Sequence, residues 1–131
     1  GDSGSSSTPQ HQTPYNPNDY HCDIIAYNLA VDNGHQGGSW DGNTQTVNQI
    51  FSGNYASQAQ TAPEAGSCGY IFYDWNNDGT FDHIEYYESN SYGSYTVYET
   101  DGKQDAVPHT YPVSDTNGRD DNASTAFVPL N

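Results

Sequence analysis

The hydrophobic and polar positions along the chain fall into four regimes. Residues 1–18, GDSGSSSTPQHQTPYNPN, contain almost nothing to bury and read as a Ser/Thr/Pro-rich flexible arm or linker. From Asp19 to Val31, the apolar residues Ile24, Ile25, Leu29 and Val31 recur at helical spacing. Asn18 or Asp19 stands ready to cap the helix and Asp32-Asn33-Gly34 to stop it. A Gly, Asn, Gln and Ser-rich stretch follows, with one weaker helical segment from Thr44 to Phe51. Beyond Ala65 the pattern shifts to short aromatic and β-branched runs separated by turn residues. Strands are expected over Tyr70–Tyr73, His83–Glu88, Tyr95–Thr100, Thr110–Val113 and Ala126–Leu130. One N-terminal helix followed by a run of antiparallel strands predicts an α+β fold, the helix laid on a small curled antiparallel sheet, with residues 19–131 as a single domain.

The run from Ile71 to Glu88 is the centre of this pattern: an aromatic strand, a carboxylate-rich turn and a second strand that opens with a histidine. Counted from Asp74, oxygen-bearing residues fall at loop positions 1, 3, 5 and 9, with glycine at 6 and glutamate at 12. That is the ligand spacing of a calcium loop. It nominates Asp74, Asn76, Asp78, the Thr80 carbonyl, Asp82 and Glu85 as ligands of a structural calcium ion. The other reading of the same residues is an acidic hairpin turn that binds nothing, because Asn77-Asp78-Gly79 is also ordinary turn chemistry.

Composition narrows the partners. Seventeen acidic residues stand against only Lys103 and Arg119, giving a net charge of −15, and the chain carries 12 tyrosines and no methionine. Such a surface would be repelled by nucleic acid and by an anionic membrane, and no stretch has the length of a membrane helix. An extracellular setting, where salt or calcium screens the charge, is expected. The chain opens at Gly1 in polar sequence without a signal-peptide pattern, as expected of a mature secreted chain or an excised domain. Asn122-Ala-Ser124 is a glycosylation sequon. Trp40 is expected on the surface or lining a groove. With Trp75 and the tyrosines, it offers a further reading as a carbohydrate-binding surface.

The two cysteines leave two alternatives open. Cys22 and Cys68 can form one disulfide. Alternatively, Cys22 is a nucleophile, since it falls in the first turn of the predicted helix, where free backbone N–H groups and the helix dipole favour a thiolate. Thiol catalysis needs a base within reach and a third group to orient that base. His83 opens one strand and Glu99 lies near the end of the next. By strand alternation, His83, Glu85 and Tyr87 share a face, so His83 is directed at Cys22 if that face meets the helix.

These residues resemble the CHAP and NlpC/P60 superfamily of papain-like cysteine peptidases and amidases. The likeness lies in His21-Cys-Asp-Ile-Ile-Ala-Tyr-Asn28 as the cysteine helix, Ala65-Gly-Ser-Cys-Gly-Tyr-Ile-Phe72 as the strand after a turn, His83-Ile-Glu-Tyr-Tyr-Glu88 as the histidine strand and Thr96-Val-Tyr-Glu99 as the third. It covers roughly residues 19–130. The resemblance implies a papain-like fold and hydrolysis of peptide amide bonds of peptidoglycan. Cys22 would be the nucleophile, His83 the general base and then acid, and Glu99 the orienting residue; the Cys22 N–H would serve in the oxyanion hole. The chain departs from the family in carrying Glu85 on the histidine's face, a second cysteine and almost no basic surface. Those departures suit an alternative: a non-enzymatic, calcium-stabilised, Tyr-rich extracellular binding or assembly subunit with a Cys22–Cys68 disulfide. Its N-terminal arm would then mediate self-assembly by adding a strand to a neighbour.

Overall fold

A computed structural model of the chain describes residues 22–35, 39–43, 45–100 and 106–130. The proposed arm at 1–18, the helix caps Asn18 and Asp19, His21 and Lys103 lie outside the described residues. The architecture is α+β. Helix α1 spans Cys22–Asp32 and a short α2 spans Val47–Ile50. Five strands follow: β1 (Cys68–Asp74), β2 (His83–Ser89), β3 (Ser94–Glu99), β4 (Val107–Pro112) and β5 (Ser124–Leu130). They form one sheet in the order β4-β3-β2-β1-β5, and every neighbouring pair is antiparallel. None of the described helices is long and apolar enough to cross a membrane.

Local chemistry sets the helix ends. Gly34 adopts a φ of 87°, and the backbone N–H of His35 reaches the Ala30 carbonyl while that of Gly34 reaches Val31. This paired closure satisfies two terminal carbonyls and needs a left-handed residue at position 34, so glycine ends α1 there. At α2, Thr46 and Gln49 form a reciprocal cap, each side chain bonding the other's backbone N–H. The helical path then continues through a wider turn over Phe51–Tyr55.

Strand alternation divides the core in two. On one face, Tyr70, Phe72, Ile84, Tyr86, Tyr98 and Val128 pack against Ile25, Ala26, Leu29 and Ala30 of α1, together with Ile50 and Tyr55. On the other, Ile71, Tyr73, Tyr87, Tyr95, Val97 and Phe127 close around Ala123. The segment between β4 and β5 is tied to this second face, where Tyr95 donates to the Asp115 carbonyl at 2.6 Å. Gly69 is required in β1 because a Cβ there would meet the Val128 carbonyl oxygen at 1.9 Å.

Two expectations about aromatics are corrected here. Trp40 is not a surface or groove residue. It is 1% exposed, edge-on to Tyr27 and Tyr70 with ring centroids 5.2 and 5.7 Å away, and its indole N–H donates to the Asn43 carbonyl. The tyrosines are mostly core rather than a binding surface. Tyr55, Tyr70, Tyr73, Tyr86, Tyr87, Tyr95 and Tyr98 are all buried, because this chain uses phenol rings where others use leucine or methionine.

Candidate functional site

Helix α1 runs beside β2 in the same direction. Cys22 at its start meets His83 at the start of the strand, and His35 beyond its end lies against Tyr86. The partly exposed Cys22 thiol is within hydrogen-bonding reach of the His83 ring. His83 Nε2 is 2.7 Å from Glu85 Oε2. Burial by itself would lower the His83 pKa, but the hydrogen bonds and charges of Cys22 and Glu85 outweigh it and push it up to about 9.

The face that meets α1 is the one carrying Ile84 and Tyr86, not the His83, Glu85 and Tyr87 face expected from the sequence. Cys22 and His83 meet nonetheless because both are terminal residues. Pairing between β2 and β3 stops at Tyr86 with Tyr98, so no paired β3 residue flanks His83.

The third member of the constellation is Glu85, and the placement of Glu99 differs from expectation. Glu99 accepts a short hydrogen bond from the Tyr111 hydroxyl and lies 3.7 Å from His109 Nε2. Burial raises its pKa, opposed by the Tyr111 bond. Its carboxylate is turned toward β4, where it lines a cleft of about 110 Å³ with Val107, His109 and Arg119. Glu85, two residues from the histidine on the same strand, reaches the imidazole directly. It also accepts from the Thr100 backbone N–H at 3.0 Å and from Arg119 Nη1 at 2.6 Å.

Arg119 comes from the segment between β4 and β5. Its approach depends on Gly118, which has a φ of 56° and sits where a Cβ would come within 2.5 Å of the Tyr73 hydroxyl. Sequence reasoning missed Arg119 and the Thr100 N–H. The available signal was that a chain of charge −15 spends its single arginine somewhere. Trp75, 41% exposed, stacks on the His83 ring with centroids 4.9 Å apart and planes 22° apart.

The acidic turn between β1 and β2 forms a second centre. Carboxylate oxygens of Asp74, Asp78 and Asp82 lie within 4.8 Å of one another, so the three together could hold a metal ion. The loop is wrapped by its own backbone. Asp74 accepts from Asp78 N–H at 3.2 Å and Gly79 N–H at 2.8 Å, Asp82 from Trp75 N–H at 3.0 Å, and Asp78 from Thr80 N–H at 3.0 Å. Burial opposes ionisation of Asp74, yet the N–H groups of Gly79 and Asp78 outweigh it and hold its carboxyl below the ordinary range. Left-handed backbone at Asn77 and Gly79 makes this curl. The turn is pinned from outside by Asn77 Nδ2 to the Asn122 carbonyl and by Phe81 N–H to Asn48 Oδ1.

Asn76 and Thr80 lie in the same turn, exposed, and outside the carboxylate triplet. Glu85 lies outside that triplet, and its Oε2 is bonded by His83, Thr100 and Arg119 on the buried face.

The proposed disulfide is absent: Cys22 and Cys68 are both free thiols. Cys68 pairs with Glu88 while Tyr73 pairs with His83, which separates Cys68 from the His83 end by five residues of β1. That is roughly 17 Å at the rise of a strand, whereas a disulfide requires Cα atoms closer than about 7 Å. Burial pushes the Cys68 thiol pKa up, partly offset by a hydrogen bond with Tyr86.

Comparison of the chain with family models, with curated proteins and with solved structures finds no match.

Proposed function

We propose that the chain is a cysteine hydrolase of amide bonds, acting through Cys22, His83 and Glu85. The observation that carries this reading is the continuous contact of a partly exposed thiol at a helix start, an imidazole, and a buried carboxylate. Thiol, base and orienting group are the minimum for nucleophilic amide cleavage. In the reaction, the Cys22 proton passes to His83 and the sulfur attacks the carbonyl carbon of the substrate. The oxyanion is received by the Cys22 backbone N–H at the start of α1. The C–N bond breaks as His83 protonates the leaving amine, leaving a thioester on Cys22. Water then attacks the thioester carbon and gives its proton to His83, and the C–S bond breaks to release the acid and restore the thiol. Glu85 holds the ring and stabilises its protonated form throughout.

The order of cysteine helix, histidine strand and following strand supports a likeness to the CHAP and NlpC/P60 papain-like superfamily, with Glu85 in the place first assigned to Glu99. Peptide amides of peptidoglycan are the substrate class that this likeness suggests, in an extracellular setting. The acidic turn presents hard oxygen donors only, a donor set that suits calcium. An ion held by Asp74, Asp78 and Asp82 would brace the hairpin that presents His83.

The test is hydrolysis of peptidoglycan peptide fragments, followed by release of free amines. Wild-type protein should cleave, Cys22→Ala should not, and Glu99→Gln should retain most of the activity. Equal cleavage by Cys22→Ala and wild type would end the cysteine-hydrolase reading.

A further inference from the structure

Glu85 lies in an awkward position for a carboxylate. It is 1% exposed, and all three of its donors, His83, Thr100 N–H and Arg119, converge on Oε2. Oε1 is buried and has no hydrogen-bond partner among the described residues. A buried charge with one bare oxygen is tolerated only beside a lasting counter-charge, and neither the Thr100 N–H nor a histidine that must give up its proton in the reaction supplies one. Arg119 does, at 2.6 Å, and the same Nη1 also donates to the Thr100 carbonyl. One guanidinium nitrogen therefore fixes both the carboxylate and the end of β3, from a residue 34 positions away in the chain.

We infer that Arg119 is a positioning residue for the proposed reaction, holding the Glu85 carboxylate aimed so that Glu85 in turn aims His83 at Cys22. The inference rests on the cysteine-hydrolase reading. Arg119 acts through Glu85, the carboxylate it bonds at 2.6 Å. A purely architectural role is the competing explanation, since Arg119 also ties the segment between β4 and β5 to β3.

The two roles separate in the reactivity of Cys22, which needs no knowledge of the substrate. The rate of iodoacetamide labelling at Cys22 is measured by peptide mass mapping at pH 6.5 for wild type, Arg119→Met, Arg119→Lys, Glu85→Gln and the Glu85→Gln/Arg119→Met double variant. Near-ultraviolet circular dichroism reports the fold of each. Positioning predicts that Arg119→Met slows Cys22 labelling about tenfold in a folded protein, that Arg119→Lys, which keeps the charge and one donor, stays within about threefold of wild type, and that Arg119→Met adds nothing once Glu85 is Gln. If Arg119→Met loses its fold, Arg119→Lys decides: near-wild-type labelling supports positioning, and a tenfold loss with native dichroism overturns it. Wild-type labelling in a folded Arg119→Met also overturns it, while leaving the hydrolase reading intact. If wild-type Cys22 labels no faster than a cysteine in an unfolded peptide, the hydrolase reading itself fails and takes the inference with it.

Discussion

The acidic turn and the buried carboxylate beside it put the same chemical group in opposite surroundings. In the turn, three carboxylates lie within 4.8 Å of one another with two of them near solvent, and they are held by N–H groups no more than seven residues away. Three residues further on, Glu85 is sealed from water, and its partners are 2, 15 and 34 residues distant. Water screens repulsion among the turn carboxylates, so local backbone suffices to shape them. No such screening reaches Glu85, so the fold must bring it a cation. In a chain with two basic residues against seventeen acidic ones, placing the arginine there is a costly commitment that the surface does not share. Carboxylates near the surface thus form a cluster that could hold an ion, and the interior one is bonded to the protein's own imidazole.

Removing one carboxylate from each region should separate them most. Glu85→Ala leaves Arg119 and His83 facing each other without an anion and should cost about 3 kcal/mol, the low end for a broken buried pair because Arg119 is partly exposed. Asp78→Asn in chelator should change stability by less than about 0.5 kcal/mol. Urea unfolding of both variants measures the contrast, and equal losses would erase it.

Calcium sharpens the comparison from the other side. At a hundredfold excess over its dissociation constant, the ion should add about 2.7 kcal/mol to wild-type stability. The gain should vanish in Asp74→Asn/Asp78→Asn and persist in Glu85→Gln, since Glu85 serves the histidine. Loss of the gain in Glu85→Gln would return that residue to the ion.

The two regions should also fail at opposite ends of the pH scale. Asp74 has a depressed pKa in the folded chain. Its contribution is present above the ordinary carboxylate value of about 3.9 and is lost as pH falls through the folded value. His83 is raised from 6.5 to about 9. Its contribution is complete below the unfolded value and is lost as pH rises through about 9. Urea midpoints in chelator should show Asp74→Asn converging on wild type in acid. His83→Ala should converge on it between pH 6.5 and 9. Convergence of either variant at the other's end would contradict the assignment.

The smallest effect is expected at the thiol. With no disulfide to lose, Cys22→Ala should cost less than about 1 kcal/mol and reductant should leave the melting temperature unchanged, against roughly 2–5 kcal/mol for a native bridge.

What the sequence made legible followed from local periodicity. Turn spacing located Asp74, Asp78 and Asp82, strand chemistry located all five strands, and Asn33-Gly34 located the end of α1. What stayed hidden depended on which face met which neighbour. Alternation put His83 and Glu85 side by side but could not say that α1 covers Ile84 and Tyr86 instead. Glu99 looked suitable as the orienting residue because it lay on the next strand, yet its partners, Tyr111 and His109, are on the strand beyond. The Thr46 and Gln49 cap was local and readable, but went unread beneath a Gln- and Asn-rich stretch. Arg119 could be reached only through tertiary structure, since nothing near it in the sequence refers to Glu85.

The most direct test of the Cys22, His83 and Glu85 constellation is competitive alkylation of the native wild-type protein near pH 6.5, with the label at Cys22 and Cys68 read separately by mass. Both thiols are partly exposed, but Cys22 has an imidazole partner, whereas burial pushes the Cys68 pKa up. Labelling of Cys22 at least tenfold faster than Cys68 is the predicted result. Equal rates, or a Cys22–Cys68 cross-linked peptide, would contradict it.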